Sequence, residues 1–153
     1  MIDSIEASVG IYLATLIVSV LSGLVPVVNG ELYLIAAIVV AGDPTIALVL
    51  AVIVAIGQMI AKIGLYFAAR GATELGRSTR LGAKLERAQL LVERWRNKPL
   101  TLLSISAVTG LPPFYLVSLV AGVVRIRFGV FLVLGLAGRV IRFVALALIV
   151  LYW

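Results

Sequence analysis

The sequence predicts an all-α integral membrane protein, built as an inverted repeat of a re-entrant helical hairpin followed by a long transmembrane helix. Three observations predict it. First, hydrophobic residues make up 63% of 153 residues and charged residues 13%, with a mean hydropathy of +1.20, against roughly 45–50% and 25% in soluble domains. A chain this short folded in water leaves about a third of its surface exposed, so so much apolar surface requires lipid as the solvent. Second, glycine and proline cut the apolar stretches at corresponding places in two halves. Third, eight of the 13 basic residues fall between Arg70 and Lys98, the stretch that separates those halves.

The elements follow in order. Residues 5–23 are apolar and carry no charge after Glu6, until the run Gly23-Leu-Val-Pro26-Val-Val-Asn29-Gly30 interrupts them. Proline removes a backbone donor and clashes with the preceding turn, so a helix breaks there, in the middle of an apolar stretch. Glu31 opens a short apolar segment to Ala41, closed by Gly42-Asp43-Pro44. Residues 1–43 thus form the first broken hairpin. Asp43 is placed as an N-cap and Pro44 at the favoured first helical position. An apolar transmembrane helix follows over 44–70, interrupted only by Gln58 and Lys62.

Residues 71–98 form a basic cytoplasmic segment. Within it Leu81, Leu85, Ala88, Val92 and Trp95 recur at helical spacing, with Arg80, Lys84, Arg87 and Arg94 largely off that stripe. The pattern reads equally as an amphipathic helix along the headgroups or as a plain positive-inside loop. A second hairpin spans 99–124 and is broken at Gly110-Leu-Pro112-Pro113, and a second transmembrane helix occupies 125–153. The halves rhyme in detail: Gly57-Gln58-x-x-x-Lys62 in the first long helix corresponds to Gly138-Arg139-x-x-Arg142 in the second. Broken segments at matching positions of two halves are a pointer to inverted-repeat transporters.

Composition excludes much chemistry. With no Cys and no His there is no thiolate and no imidazole, and the carboxylates lack the clustering of a metal site. No Ser–His or carboxylate pair suggests an enzyme, and neither metal nor cofactor is expected. The basic charge belongs to one loop, which argues against nucleic acid as a partner. The opening Met-Ile-Asp-Ser-Ile-Glu lacks the positive region of a signal peptide.

The embedded charges carry the functional reading. Glu31 lies at a helix start, where free N–H groups favour an anion. Lys62, Arg139 and Arg142 lie inside long apolar helices, and each unpaired charge at bilayer depth costs roughly 2.5–3.5 kcal/mol on insertion scales. Such groups must pair or face a wet cavity. One arrangement pairs the cations with Glu31 or with carbonyls freed at the proline breaks. The other presents the surplus positive charge to an anionic headgroup, since guanidinium forks match phosphate. Gln58 either joins that group or bonds across helices.

These motifs resemble the DedA/VTT superfamily, once labelled SNARE-associated Golgi proteins, and within it the small bacterial YqaA-like branch. The resemblance covers residues 23–150. It is carried by Leu24-Val-Pro26-Val-Val-Asn29-Gly30-Glu31, by Gly57-x-x-x-Ala61-Lys62-x-x-x-Tyr66-x-x-Ala69-Arg70-Gly71, and by Leu111-Pro112-Pro113 followed by Ala121-Gly122-x-x-Arg125-Ile-Arg127-Phe-Gly129 and Gly138-Arg139-x-x-Arg142-Phe143. This chain departs from the family at Val108–Phe114, which lacks the two arginines usual there, and at Lys62, which stands where an acid is common. The resemblance implies movement of an anionic lipid, a polyprenyl phosphate or phospholipid, between leaflets of a bacterial inner membrane, by flipping or scrambling. Arg139, Arg142, Lys62, Gln58 and Asn29 are then the expected headgroup contacts and Glu31 the proton-coupling or gating acid. Pro26, Gly30, Pro112 and Pro113 form the hairpin tips. The alternatives are an ion-coupled exporter of small solutes and a non-transporting membrane interaction protein. Membrane lipids are the expected partners, and the thinness of a 153-residue chain leaves a homo-oligomer open.

The charge distribution sets the topology: both termini outside, residues 71–98 in the cytoplasm. Single cysteines in place of Ser4 and Ser78 test this in intact cells with an impermeant thiol reagent. Position 4 should label and position 78 should not; labelling of position 78 alone rules the arrangement out.

Overall fold

The computed structural model describes residues 2–25, 27–75, 90, 93, 94 and 97–153. Its regular elements are helices: α1 (Ile2–Leu24), α2 (Gly30–Ala41), α3 (Pro44–Leu75), α4 (Pro99–Thr109), α5 (Phe114–Val123) and α6 (Phe128–Tyr152). Among the described residues there are no strands, so the all-α expectation holds. Pro26 and most of the basic stripe, Leu81, Leu85, Ala88, Val92 and Trp95 included, lie outside the described residues.

Three helices are long and apolar enough to cross a membrane: α1 over Ala7–Leu24, α3 over Pro44–Ala72, and α6. The sequence pattern predicts only two. At 1.5 Å per residue the 23 residues of α1 reach about 35 Å, the length of a full crossing. The hairpin arms are accordingly unequal. The first pairs 23 residues with the 12 of α2, whereas the second pairs 11 with 10. Helix α3 also runs past Arg70 to Leu75. A single helix-interior glycine costs about 1 kcal/mol relative to alanine, too little for Gly71 to end so long a helix.

The local signals act where the sequence places them. The Oδ1 of Asp43 accepts from the N–H groups of Thr45 and Ile46 at 2.7 and 3.0 Å, starting α3. Gly42 (φ 63°) and Gly110 (φ 76°) close α2 and α4 in the left-handed conformation, which costs glycine nothing.

The chain forms two compact units, one from Met1–Ala61 with Val140–Trp153 and one from Lys62–Arg139. The core of the first joins Leu34 and Ile38 of α2 to Ala47, Leu50, Ala51, Val54 and Ala55 of α3 and to Phe143 and Ala147 of α6. Ala47, Ala51 and Ala55 make a small-residue stripe, the usual device for close helix approach where lipid supplies no hydrophobic drive. Helix α1 meets α3 through glycines on both: a Cβ on Gly23 would lie 2.5 Å from that of Ala61, and one on Gly57 would lie 2.6 Å from that of Ser19.

The second unit is held by aromatic rings. Tyr66 of α3, fully buried, stacks on Phe131 of α6 at 4.8 Å and 20° and meets Phe67 edge-on at 5.1 Å. Phe114 of α5 lies parallel to Phe131 at 6.4 Å. Helix α5 comes so close to α3 that a Cβ on Gly122 would strike the Tyr66 carbonyl oxygen.

Gly122→Ala should therefore destabilise the protein by roughly 1–3 kcal/mol, the usual cost of overpacking. Gly64→Ala, whose Cβ meets nothing within 4 Å, should be neutral or stabilising by up to about 1 kcal/mol. Thermal unfolding midpoints in detergent compare the two, and equal midpoints would contradict the packing.

Candidate functional site

In the first unit, an acid and a base separated by 111 residues in sequence pair directly. Nη2 of Arg142 on α6 donates to Oε1 of Glu31 on α2. Both side chains keep some exposure, 26% for Arg142 and 39% for Glu31, so the pair sits at the edge of the packed interior and not within it. Of the two arrangements the sequence allows, Arg142 adopts the ion pair.

Glu31 does not use the free N–H groups at the start of α2. Asn29 does: its Oδ1 accepts from Glu31 N at 3.0 Å and Leu32 N at 3.3 Å. Asparagine is among the best N-cap residues, and the cap engages the side-chain oxygen of a residue expected to contact headgroups. Relieved of capping, the Glu31 carboxylate can reach α6.

Beside this pair runs a polar seam along α1. Thr15, Ser19 and Ser22 are buried and lie on one helical face at spacings of four and three. Thr15 Oγ1 donates to Ile11 O and shares a 3.0 Å hydrogen bond with Tyr33 Oη of α2. Ser22 Oγ donates to Ser19 O and accepts from Gln58 Nε2 at 3.0 Å. Gln58 thus ties α3 to α1. Buried Gly30 sits against these two groups, since a Cβ there would come within 2.6 Å of both Gln58 Nε2 and Ser22 Oγ. The tip therefore closes on a polar lining, and Gly30 is the residue that permits the approach.

In the second unit, two buried cations face the opening turn of α5. Lys62 and Arg139 are only 5% and 7% exposed. The Lys62 ammonium lies 6.0 Å from the centroid of the Tyr115 ring, and the Arg139 guanidinium carbon lies 4.5 Å from that of Phe114. Aromatic faces attract cations, most strongly where water is excluded. The rings are adjacent because Pro113 starts α5 just before them, its carbonyl accepting from Leu116 and Val117. The Leu111–Pro112 bond is cis, and Pro112 O accepts from Ser106 Oγ of α4, which fastens this tip to its hairpin. Pro112 and Pro113 lie in the break between α4 and α5.

The expected site residues therefore fall into two groups. Glu31, Arg142, Asn29, Gly30 and Gln58 belong to the first unit; Lys62, Arg139, Pro112 and Pro113 belong to the second. Sequence reasoning did not single out Thr15, Tyr33, Tyr115 or Phe114. The spacing Thr15-x-x-x-Ser19-x-x-Ser22 was a readable sign of a polar face. The ring partners carried no sign, because aromatic residues in apolar helices are ordinary. Among the described residues no acidic cluster suited to a metal ion is present.

Glu31→Gln and Arg142→Gln should each cost on the order of 1–3 kcal/mol, the range for hydrogen bonds involving charged groups. Partial exposure keeps the pair below the penalty for breaking a fully buried one. The double variant should cost less than the two losses added, with a coupling of roughly 0.5–3 kcal/mol. Unfolding in mild detergent measures all four proteins, and strict additivity would mean the pair contributes nothing.

The VTT-domain family model matches residues 25–152. No curated protein and no solved structure matches the chain.

Proposed function

The chain belongs to the VTT-domain family of membrane proteins, and from that premise we propose that it transports lipid, moving an anionic lipid between leaflets. The substrate class is a polyprenyl phosphate or phospholipid, the setting a bacterial inner membrane, and the activity non-enzymatic. One observation carries this reading: two cations, Lys62 and Arg139, are buried against the aromatic start of α5. A ring face attracts a cation, and two buried cations against adjacent rings concentrate positive charge at the start of α5, where a phosphate would be held. Lysine offers a compact charge and arginine a planar fork, a combination suited to a phosphate monoester or diester.

The Glu31–Arg142 pair supplies a switch. Protonation of Glu31 would remove its charge and release the Arg142 guanidinium to an incoming anion. Loss of the proton would re-form the pair and expel that anion. Gln58 and Ser22 keep the first tip in register while this exchange occurs, and Asn29 holds α2 wound.

Reconstituted vesicles provide the test. Lys62→Gln and Arg139→Gln should lower the transfer of labelled lipid phosphate by roughly 10–100-fold, the loss of one charge-assisted hydrogen bond, while remaining folded and inserted. Glu31→Gln should still bind lipid phosphate but no longer respond to a pH gradient. Undiminished transfer in both cation variants would sink the lipid reading. So would movement of a labelled small solute with no movement of lipid, which would identify an exporter.

A further inference from the structure

Three arginines and an aromatic ledge meet at one end of the second unit, using none of the residues assigned to transport. Tyr66 is the link. Its hydroxyl donates to Ile126 O in the turn between α5 and α6 and accepts from Arg70 Nη1 at 2.9 Å. Arg70 is thereby fixed at the level of a turn whose flanking residues are Arg125 and Arg127, both exposed. Phe67, about half exposed, and Phe128 lie alongside with ring centroids 5.2 Å apart.

The backbone of this turn is informative. Helix α5 ends in a Schellman motif: Arg125 N–H bonds Gly122 O at 3.2 Å and Ile126 N–H bonds Ala121 O at 3.0 Å. The residue beyond the cap must then be left-handed, and it is Arg125, at φ 58°. Helices α2 and α4 place glycine at left-handed ends, as the geometry favours. Among the described residues Arg125 is the non-glycine with positive φ. A requirement for positive charge near the membrane alone could be met by a neighbouring residue without this strain. The strained conformation points to a use for this side chain at this place.

We propose that Arg70, Arg125 and Arg127 form a binding site for an anionic phospholipid of the leaflet at this end of the second unit. Guanidinium groups take the phosphate, in the manner usual for paired or clustered arginines, and Phe67 and Phe128 lie against the glycerol and upper acyl carbons. Charge complementarity selects the occupant: three cations and an apolar ledge fit a headgroup with its chains, whereas a free anion would use only the cations.

The experiment measures the unfolding midpoint of the purified protein in neutral detergent, titrated with phosphatidylglycerol, phosphatidylcholine or inorganic phosphate. Wild type should be protected by phosphatidylglycerol and by neither of the others. Arg125→Gly suits the turn better than arginine, which offsets the loss of the side chain's own contacts, so the variant should remain folded without lipid. Its phosphatidylglycerol affinity should nevertheless fall about fivefold, the contribution of one arginine at an anionic surface. Arg127→Gln should fall similarly, and Arg94→Gln, exposed elsewhere in the chain, should fall less. The proposal is overturned if both site variants keep wild-type affinity, or if Arg94→Gln loses as much. It is also overturned if phosphatidylcholine or inorganic phosphate protects equally.

Discussion

In hydrocarbon, every polar group must find its partner inside the protein, and this constraint shapes each departure from plain apolar helix in the structure. Where the backbone breaks, side chains take over the abandoned groups. Asn29 caps α2 and Asp43 caps α3, while Ser106 closes on the carbonyl of Pro112. Where side chains carry hydroxyls, they return them to their own helix, as Ser118 does to Phe114 O and Ser104 to Leu100 O. Where they carry charge, their contacts differ and include a carboxylate for Arg142, a tyrosine hydroxyl for Arg70 and ring faces for Lys62 and Arg139. Glycine enters because these partners lie close. Gly30 stands where a methyl group would collide with the Gln58–Ser22 pair, and Gly122 where one would collide with the backbone carbonyl of Tyr66.

The two units meet this constraint differently. The first relies on an alanine stripe under Leu34, Ile38 and Phe143, with a seam of hydroxyls and one amide at its side. The second relies on rings, with Tyr66 serving both the aromatic stack and the polar link to Ile126. The first therefore places Arg142 in an ion pair with Glu31, and the second sets Lys62 and Arg139 against π-faces.

The fold was legible wherever its cause is local. Gly42, Asp43, Pro44 and Gly110 act at the positions where the sequence puts them, because a cap or a left-handed turn depends on a few neighbouring residues. The length of α1 was harder to read: Glu6 and Asp3 suggest an end that the helix ignores, since charges in a first turn are tolerated. The C-terminal end of α3 hides for another reason, one glycine being too weak a stop. The pairing of Glu31 with Arg142 was legible only as one of two arrangements, because nothing local selects a partner 111 residues away. Asn29 was read for its chemistry toward a ligand, whereas its position one residue before α2 gives its side-chain oxygen a backbone duty. The rings over Lys62 and Arg139 were not legible at all, being set by how α5 packs within its unit.

The composition of the first unit from two distant parts of the chain also bears on biogenesis. A ribosome delivers Met1–Ala61 long before Val140–Trp153, so α2 and α3 must wait in the membrane with Leu34, Leu50 and Val54 facing a vacancy that Phe143 and Ala147 later fill. The second unit is contiguous and can assemble as it emerges. Insertion of α6 is thus the step that completes the unit to which α2 and α3 belong, and a quality-control protease or insertase would meet that unit in its unfinished form until α6 emerges.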